Sequence, residues 1–254
     1  MLELTRKTLA LSALAALGAT GWSSAAPADW SGKGEGGLVI SRGNSDATSV
    51  NAKIDATETD GDWKNVMSAL ALYGRNATFA TAQRMEARYE LDHKLSERAF
   101  AFAAAHADKD LFEGFDYQAT VSVGGGYKFV DRESLKFAGT LGLGYRRLRP
   151  QQLIKAPDGA VIDRINGDAE GDVVATGGLS LDFQATKTTK LVDKLLVESG
   201  KNNTAVGNDF AVQVTMSDRL ALSVGYAIRY NTDPAPGTKK LDQLTTANVV
   251  YTIK

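Results

Sequence analysis

From about residue 30 onward one unit recurs roughly twelve times: about ten residues of alternating apolar and polar side chains, then a turn. Met85, Ala87, Tyr89 and Leu91 fall on one face of such a segment, and Arg84, Glu86, Arg88, Glu90 and Asp92 on the other. Successive side chains of a strand point to opposite faces, so this strand has one apolar and one ionic face. The same alternation sets Leu135, Phe137, Leu141, Leu143 and Tyr145 against Lys136, Thr140 and Arg146, and Leu220, Leu222, Val224, Tyr226, Ile228 and Tyr230 against Arg219, Ser223 and Arg229. Strands are expected at 34–41, 48–58, 64–75, 82–93, 98–107, 116–129, 134–148, 171–184, 190–198, 205–216, 219–230 and 241–253. A soluble sandwich would bury the apolar face, whereas a membrane barrel would turn it to lipid and line its lumen with the charged one.

The connections separate these two. Counted from the N-terminus, the even-numbered ones are tight, as at Thr59-Asp60-Gly61-Asp62, Val130 to Glu133 and Met216 to Asp218. The odd-numbered ones run longer: Ser41 to Ala47, Asn76 to Thr81, Asp108 to Phe115, Arg149 to Glu170, Ser199 to Thr204 and Asn231 to Lys240. Short turns at one end and long loops at the other are the pattern of an outer-membrane barrel with periplasmic termini. Aromatic residues group accordingly. Trp63, Phe100, Phe129, Phe137, Phe183 and Tyr251 lie near short-turn ends, and Tyr73, Tyr117, Tyr145 and Tyr230 near long-loop ends, as two interfacial belts would. The fold expected is all-β: a transmembrane antiparallel up-and-down barrel of about 12 strands with short periplasmic turns and longer extracellular loops.

The N-terminus adds a route to the envelope. Arg6 and Lys7 precede an apolar run from Thr8 to Trp22 and the small residues Ser23 to Ala28, the order of a secretory signal. The run is short of the about 20 residues a membrane helix needs. Residues 1–28 are expected to be a cleaved signal peptide and residues 29–254 one barrel domain. With no cysteine, neither a disulfide framework nor a lipid-anchoring cysteine is available. A net charge of -1 gives no reason to expect nucleic acid.

Two stretches carry a family resemblance. Trp30-Ser-Gly-Lys-Gly-Glu-Gly-Gly followed by Ser41-Arg-Gly-Asn-Ser, and the closing run Arg229 to Asp242 with a last strand containing Val249-Val250-Tyr251, resemble the YdiY-like salt-induced outer-membrane protein family. Gly139-Thr-Leu-Gly-Leu-Gly-Tyr145 matches its glycine-rich middle strand. The resemblance spans about residues 30–254 and implies an outer-membrane barrel without an assigned biochemical activity. The chain departs from many such barrels in ending at Lys254 rather than an aromatic residue.

Candidate chemistry is sparse. His106, beside Asp108 and Asp110, sits near a long-loop end and could serve as a base, but no serine stands two residues from either histidine and no Asp-x-His pair exists. Its reading as a rim histidine is preferred. His93, at a short-turn end, is read as interfacial. Asp108, Asp110, Glu113 and Asp116 lack the alternating ligand pattern of a calcium loop, and a solvated acidic loop is expected there. Gly124, Gly126, Gly142, Gly144 and Gly178 share lumen parity and suggest space or a ring-stacking surface.

The residues expected to line the lumen, as pore or plug, are Lys53, Asp55, Arg84, Glu86, Arg88, Glu90, Asp92, Lys136, Arg146, Asp172, Asp182 and Arg229. Residues i and i+2 of a strand look too far apart to satisfy one another, so ionic partners are expected across the bore, where an unpaired buried charge is expensive. The function expected is a narrow polar channel or a structural scaffold of the envelope. The alternatives are a barrel enzyme hydrolysing lipid or peptide at the outer rim, and a soluble periplasmic β protein. No enzymatic activity, cofactor or metal is expected. The partners expected are outer-membrane lipid, lipopolysaccharide and the barrel-assembly machinery.

Overall fold

The computed structural model describes residues 29–42, 47–75, 79–112, 114–157, 160–201, 203–234 and 239–253. The expected signal peptide, Glu113 and Lys254 lie outside the described residues. Thirteen strands follow in order: β1 (Asp29–Arg42), β2 (Ala47–Asp60), β3 (Trp63–Arg75), β4 (Ala80–Lys94), β5 (Ala99–Asp110), β6 (Phe115–Arg132), β7 (Leu135–Lys155), β8 (Val161–Asn166), β9 (Glu170–Gln184), β10 (Thr189–Ser199), β11 (Thr204–Thr215), β12 (Leu220–Asn231) and β13 (Leu241–Ile253). All but β8 form one closed antiparallel ring, each pairing with its neighbours in the chain. β1 closes the ring by pairing with β13 from Gly32↔Ile253 to Arg42↔Gln243. In the ring β7 is followed directly by β9. β8 pairs with the far end of β7 alone, from Gln151↔Asn166 to Lys155↔Val161.

The twelve ring strands are those the alternation predicts, most of them longer by a few residues at one or both ends. The connection from Arg149 to Glu170 was expected to be a plain loop, and here the structure differs. β7 continues to Lys155 and turns back as β8. Pro150 reads as a strand terminator because it lacks an N–H, yet it stands opposite Phe115, where β6 begins, so little of the ladder is lost. At the opposite end a two-residue loop joins the paired Asp60 and Trp63. Gly61 takes φ +58° there, a conformation that suits glycine in a tight hairpin.

The outer wall is apolar. Leu141 is 76% exposed, Val173 67% and Val123 63%, values out of keeping with a soluble core and fitting for a lipid-facing band. Trp63, Phe129, Phe183 and Tyr251 stand exposed near the short-turn end, and Tyr73, Tyr145 and Tyr230 near the other. His93 stacks on Trp63 with ring centroids 4.3 Å apart. Phe100 does not belong to this belt. On β5 the inward residues are Phe100, Phe102, Ala104, His106, Asp108 and Asp110, and the outward ones are chiefly alanines. A methyl group at Gly126 would collide with the Phe100 ring, and one at Gly142 would come within 2.9 Å of Phe102. Gly124, Gly126 and Gly142 are therefore a floor for two inward rings. A second apolar patch inside the ring joins Val39, Leu72 and Ala82, with Leu70 and Leu244 against them.

Candidate functional site

Inward residues on neighbouring strands fall into hydrogen-bond register, and two adjacent rows carry much of the lumen's charge. One passes through Lys33, Asp55, Ser68, Arg88, His106, Thr120, Arg146 and Asp172, on β1 to β7 and then β9. The other passes through Glu35, Lys53, Leu70, Glu86, Asp108 and Gln118. Strands are about 4.8 Å apart and tilt about 40° in such a barrel. Each row consequently climbs the wall, from the short-turn end at Lys33 to the long-loop end at Asp172.

Signs alternate between the rows, which settles where the ionic partners lie. Lys33 contacts Glu35 at 2.9 Å and Asp55 at 3.3 Å, and Lys53 contacts Asp55 at 3.3 Å. Glu86 is held by both neighbours on its own strand, Arg84 at 3.1 Å and Arg88 at 2.5 Å. Arg84 also reaches Asp108 on β5 at 2.7 Å. Asp92 pairs with Lys64 at 3.6 Å, Asp182 with Lys190 at 2.7 Å, and Arg229 with Asp209 at 2.6 Å. These pairs lie within one strand or between adjacent strands, not across the bore as expected. The physical reason is reach: i and i+2 are about 6.8 Å apart along a strand, and an extended arginine spans that gap. A contact that does cross several strands is between neutral and acidic groups, Thr120 Oγ1 donating to Glu198 Oε2 at 3.4 Å from β6 to β10.

The twelve residues expected in the lumen separate into two groups. Arg84, Arg88, Arg146, Asp172 and Arg229 line one cavity of about 680 Å³ in the long-loop half of the barrel. His106, Asp108, Glu170, Glu198, Lys201, Lys240 and Asp242 line it as well. Glu86 lies just behind its wall, bound to Arg84 and Arg88. Lys53, Asp55, Glu90, Asp92 and Asp182 lie nearer the short-turn end and do not line the cavity, and Lys136 is exposed at that end.

Several inward residues escape the sequence pattern. Asp108 and Asp110 were expected in a solvated loop, but both belong to β5 and are buried, Asp108 on Arg84 and Asp110 accepting from the Phe112 N–H at 2.8 Å. Asp116 pairs with Lys109 and Arg149 instead. Glu198 was overlooked because the inward face of β10 mixes Val192 and Leu196 with Lys194 and Glu198, while its outward face carries Asp193. No clean alternation marks such a strand. Parity carried through the register from β9 would have found it.

His106 is a lumen residue, one register step from Arg88, and not a rim residue. Its Nε2 lies 3.7 Å from Glu86 Oε1 and has no hydrogen-bond partner among the described residues. Donor atoms of Glu86, His106 and Asp108 gather within 4.8 Å of one another. A metal ion there would have to displace Arg84 and Arg88, which already hold these carboxylates.

A closed ring with an apolar outer band, aromatic belts and a charged interior defines a transmembrane β-barrel of the outer-membrane type. The chain belongs to the family described as protein of unknown function DUF481, whose model matches residues 34–253. No curated protein matches it by sequence. Among solved structures it is similar to the NanC porin, with 13% identity, a TM-score of 0.52, and coverage of 89% of this chain and 100% of that one. It is also similar to the translocator domain of the autotransporter NalP from Neisseria meningitidis, with 11% identity, a TM-score of 0.49, and coverage of 87% and 88%. The outer-membrane channel DcaP of Acinetobacter baumannii matches with 9% identity, a TM-score of 0.45, and coverage of 89% and 97%.

Proposed function

We propose that this protein is a narrow, non-enzymatic diffusion channel for small polar solutes, exported by its N-terminal signal and resident in the outer membrane. The observation that carries this reading is the cavity of about 680 Å³ inside the ring, lined by arginine, lysine and carboxylate side chains. Side chains just about fill an eight-stranded barrel, and twelve strands leave more room. Charged groups of both signs keep a lumen wetted, and the ion pairs named above run along the wall. The order of charged, apolar and small residues from Arg6 to Ala28 supports export. The opening and closing motifs support placing the chain with the YdiY-like proteins within its family.

The test is single-channel recording with purified protein in planar bilayers. Small, ohmic steps in potassium chloride are expected. A correctly folded barrel that gives no conductance over many insertions overturns the channel and leaves a scaffold.

A further inference from the structure

Among the described residues, Arg146 is the one cavity arginine whose charge is poorly matched. Its side chain is only 4% exposed. Nη2 donates to the Asn203 carbonyl at 3.3 Å and lies 4.0 Å from Asp172 Oδ2. That carboxylate oxygen is taken by the Lys201 backbone N–H at 2.8 Å. Nη1 has no hydrogen-bond partner among the described residues. Arg84, Arg88 and Arg229 each hold a carboxylate at 3.1 Å or less. A buried guanidinium without a close counterion is costly. Its planar fork is matched by the two oxygens of a carboxylate.

We infer that Arg146 is a binding site for small monocarboxylates, in the cavity on the solute's path. The inference rests on the channel reading for its access and names the class of solute that pauses there. A single negative charge is selected because Asp172, Glu198 and Asp108 share the cavity with Arg146. They repel a second charge and leave a monoanion tolerated. Glycine at position 200 is part of the construction. A side chain there would collide with the Asp172 carboxylate, so its absence lets the loop fold down and Lys201 engage Asp172. That engagement holds the carboxylate away from Nη1.

The experiment titrates the purified, folded barrel in detergent with butyrate, succinate, n-butylammonium and inorganic phosphate by calorimetry. Saturable binding of butyrate is expected, with weaker binding of succinate and phosphate and none of n-butylammonium. Arg146→Gln should weaken butyrate about tenfold or more, the loss of a charge-assisted pair. Arg146→Lys, which keeps the charge and loses the fork, should fall between. Asp172→Asn should tighten binding, and Arg147→Gln, on the exposed outer face one residue away, should leave it unchanged. Absence of butyrate binding in the wild type, or binding indifferent to Arg146→Gln, overturns the site. If Arg146→Gln does not assemble, the opposed shifts of Arg146→Lys and Asp172→Asn decide alone, and failure to move in those directions overturns it equally. The bilayer recordings keep the two readings apart. Conduction without butyrate binding removes this site and leaves the channel, while binding by a barrel that never conducts removes the channel and leaves the site.

Discussion

At the scale of single residues, the lumen is built by pairs of opposite kinds: ring on glycine, and arginine on carboxylate two positions away. The first kind makes a specific demand at Gly126, where the nearest atoms to an added methyl group all belong to the Phe100 ring. Gly126→Ala should lower stability by about 1–3 kcal/mol, as overpacking does, and Phe100→Ala in the same chain should restore part of the loss. Denaturant unfolding of the single and double variants measures this, and a double variant less stable than the sum of the singles would contradict the contact. The second kind separates Glu86, tied to two arginines, from Glu90 on the same strand, which makes no such pair among the described residues. Glu86→Ala should cost about 1–3 kcal/mol, because it leaves charged donors without their acceptor. Glu90→Ala should cost clearly less. Equal losses would mean that the arginines are satisfied by water.

Strands are where the sequence speaks most plainly and where its silence has a cause. Alternation together with the spacing of the turns located all twelve ring strands, β10 with its mixed faces included, because a barrel wall has water on one side and lipid on the other, so most strands carry the signal. It failed for β8, whose residues have no such contrast: Ile162 and Ile165 are exposed and so are Asp163 and Arg164. It failed in part on β5, where Phe100 and Phe102 face inward because Gly124, Gly126 and Gly142 on β6 and β7 make room for them. An apolar side chain was read as lipid-facing, and only the partner strands reveal otherwise. The site was legible to a similar degree. Parity identified Arg84, Arg88, Arg146, Asp172 and Arg229, but the separation of these from Lys53, Asp55 and Asp92 depends on register and tilt, which alternation does not encode. Two tests belong to this scale. Leu141→Arg, on the outer face at mid-strand, should cost roughly 2–4 kcal/mol or block assembly, whereas the inward Thr140→Arg should be milder. Comparing the folded yield of the two variants checks the parity, and equal damage would refute it. Deleting residues 152–165 should leave the barrel folded, since β8 pairs as a strand with β7 alone, its Arg164 adds one hydrogen bond to the Leu111 carbonyl at 3.2 Å, and a lone hairpin adds little stability of its own. Loss of the folded form on that deletion would show the hairpin to be part of the ring's support.

For the whole molecule the decisive property is closure. A strand edge exposed to hydrocarbon leaves each free N–H and C=O without a partner, at several kcal/mol apiece. β13 removes two such edges at once, pairing with β1 from Gly32↔Ile253 to Arg42↔Gln243 and with β12 from Leu220↔Tyr251 to Tyr230↔Leu241. Its inner face also supplies Leu244 to the apolar patch at Val39 and Leu72, and Asn248 donates to Glu35 at 3.3 Å. The intact protein should accordingly resist detergent when unheated and migrate faster on a gel than the boiled form. A chain ending before residue 241 retains eleven of the ring strands and most of the apolar band, yet β1 and β12 are left as open edges. If local strand propensity and burial of the band were enough, this shortened chain would still yield a compact, fast-migrating band. If closure is what makes the ladder tolerable in lipid, it should give none and be recovered as aggregate. Side-by-side gels of heated and unheated samples decide between these, and a heat-sensitive fast band from the shortened chain would refute the argument from closure.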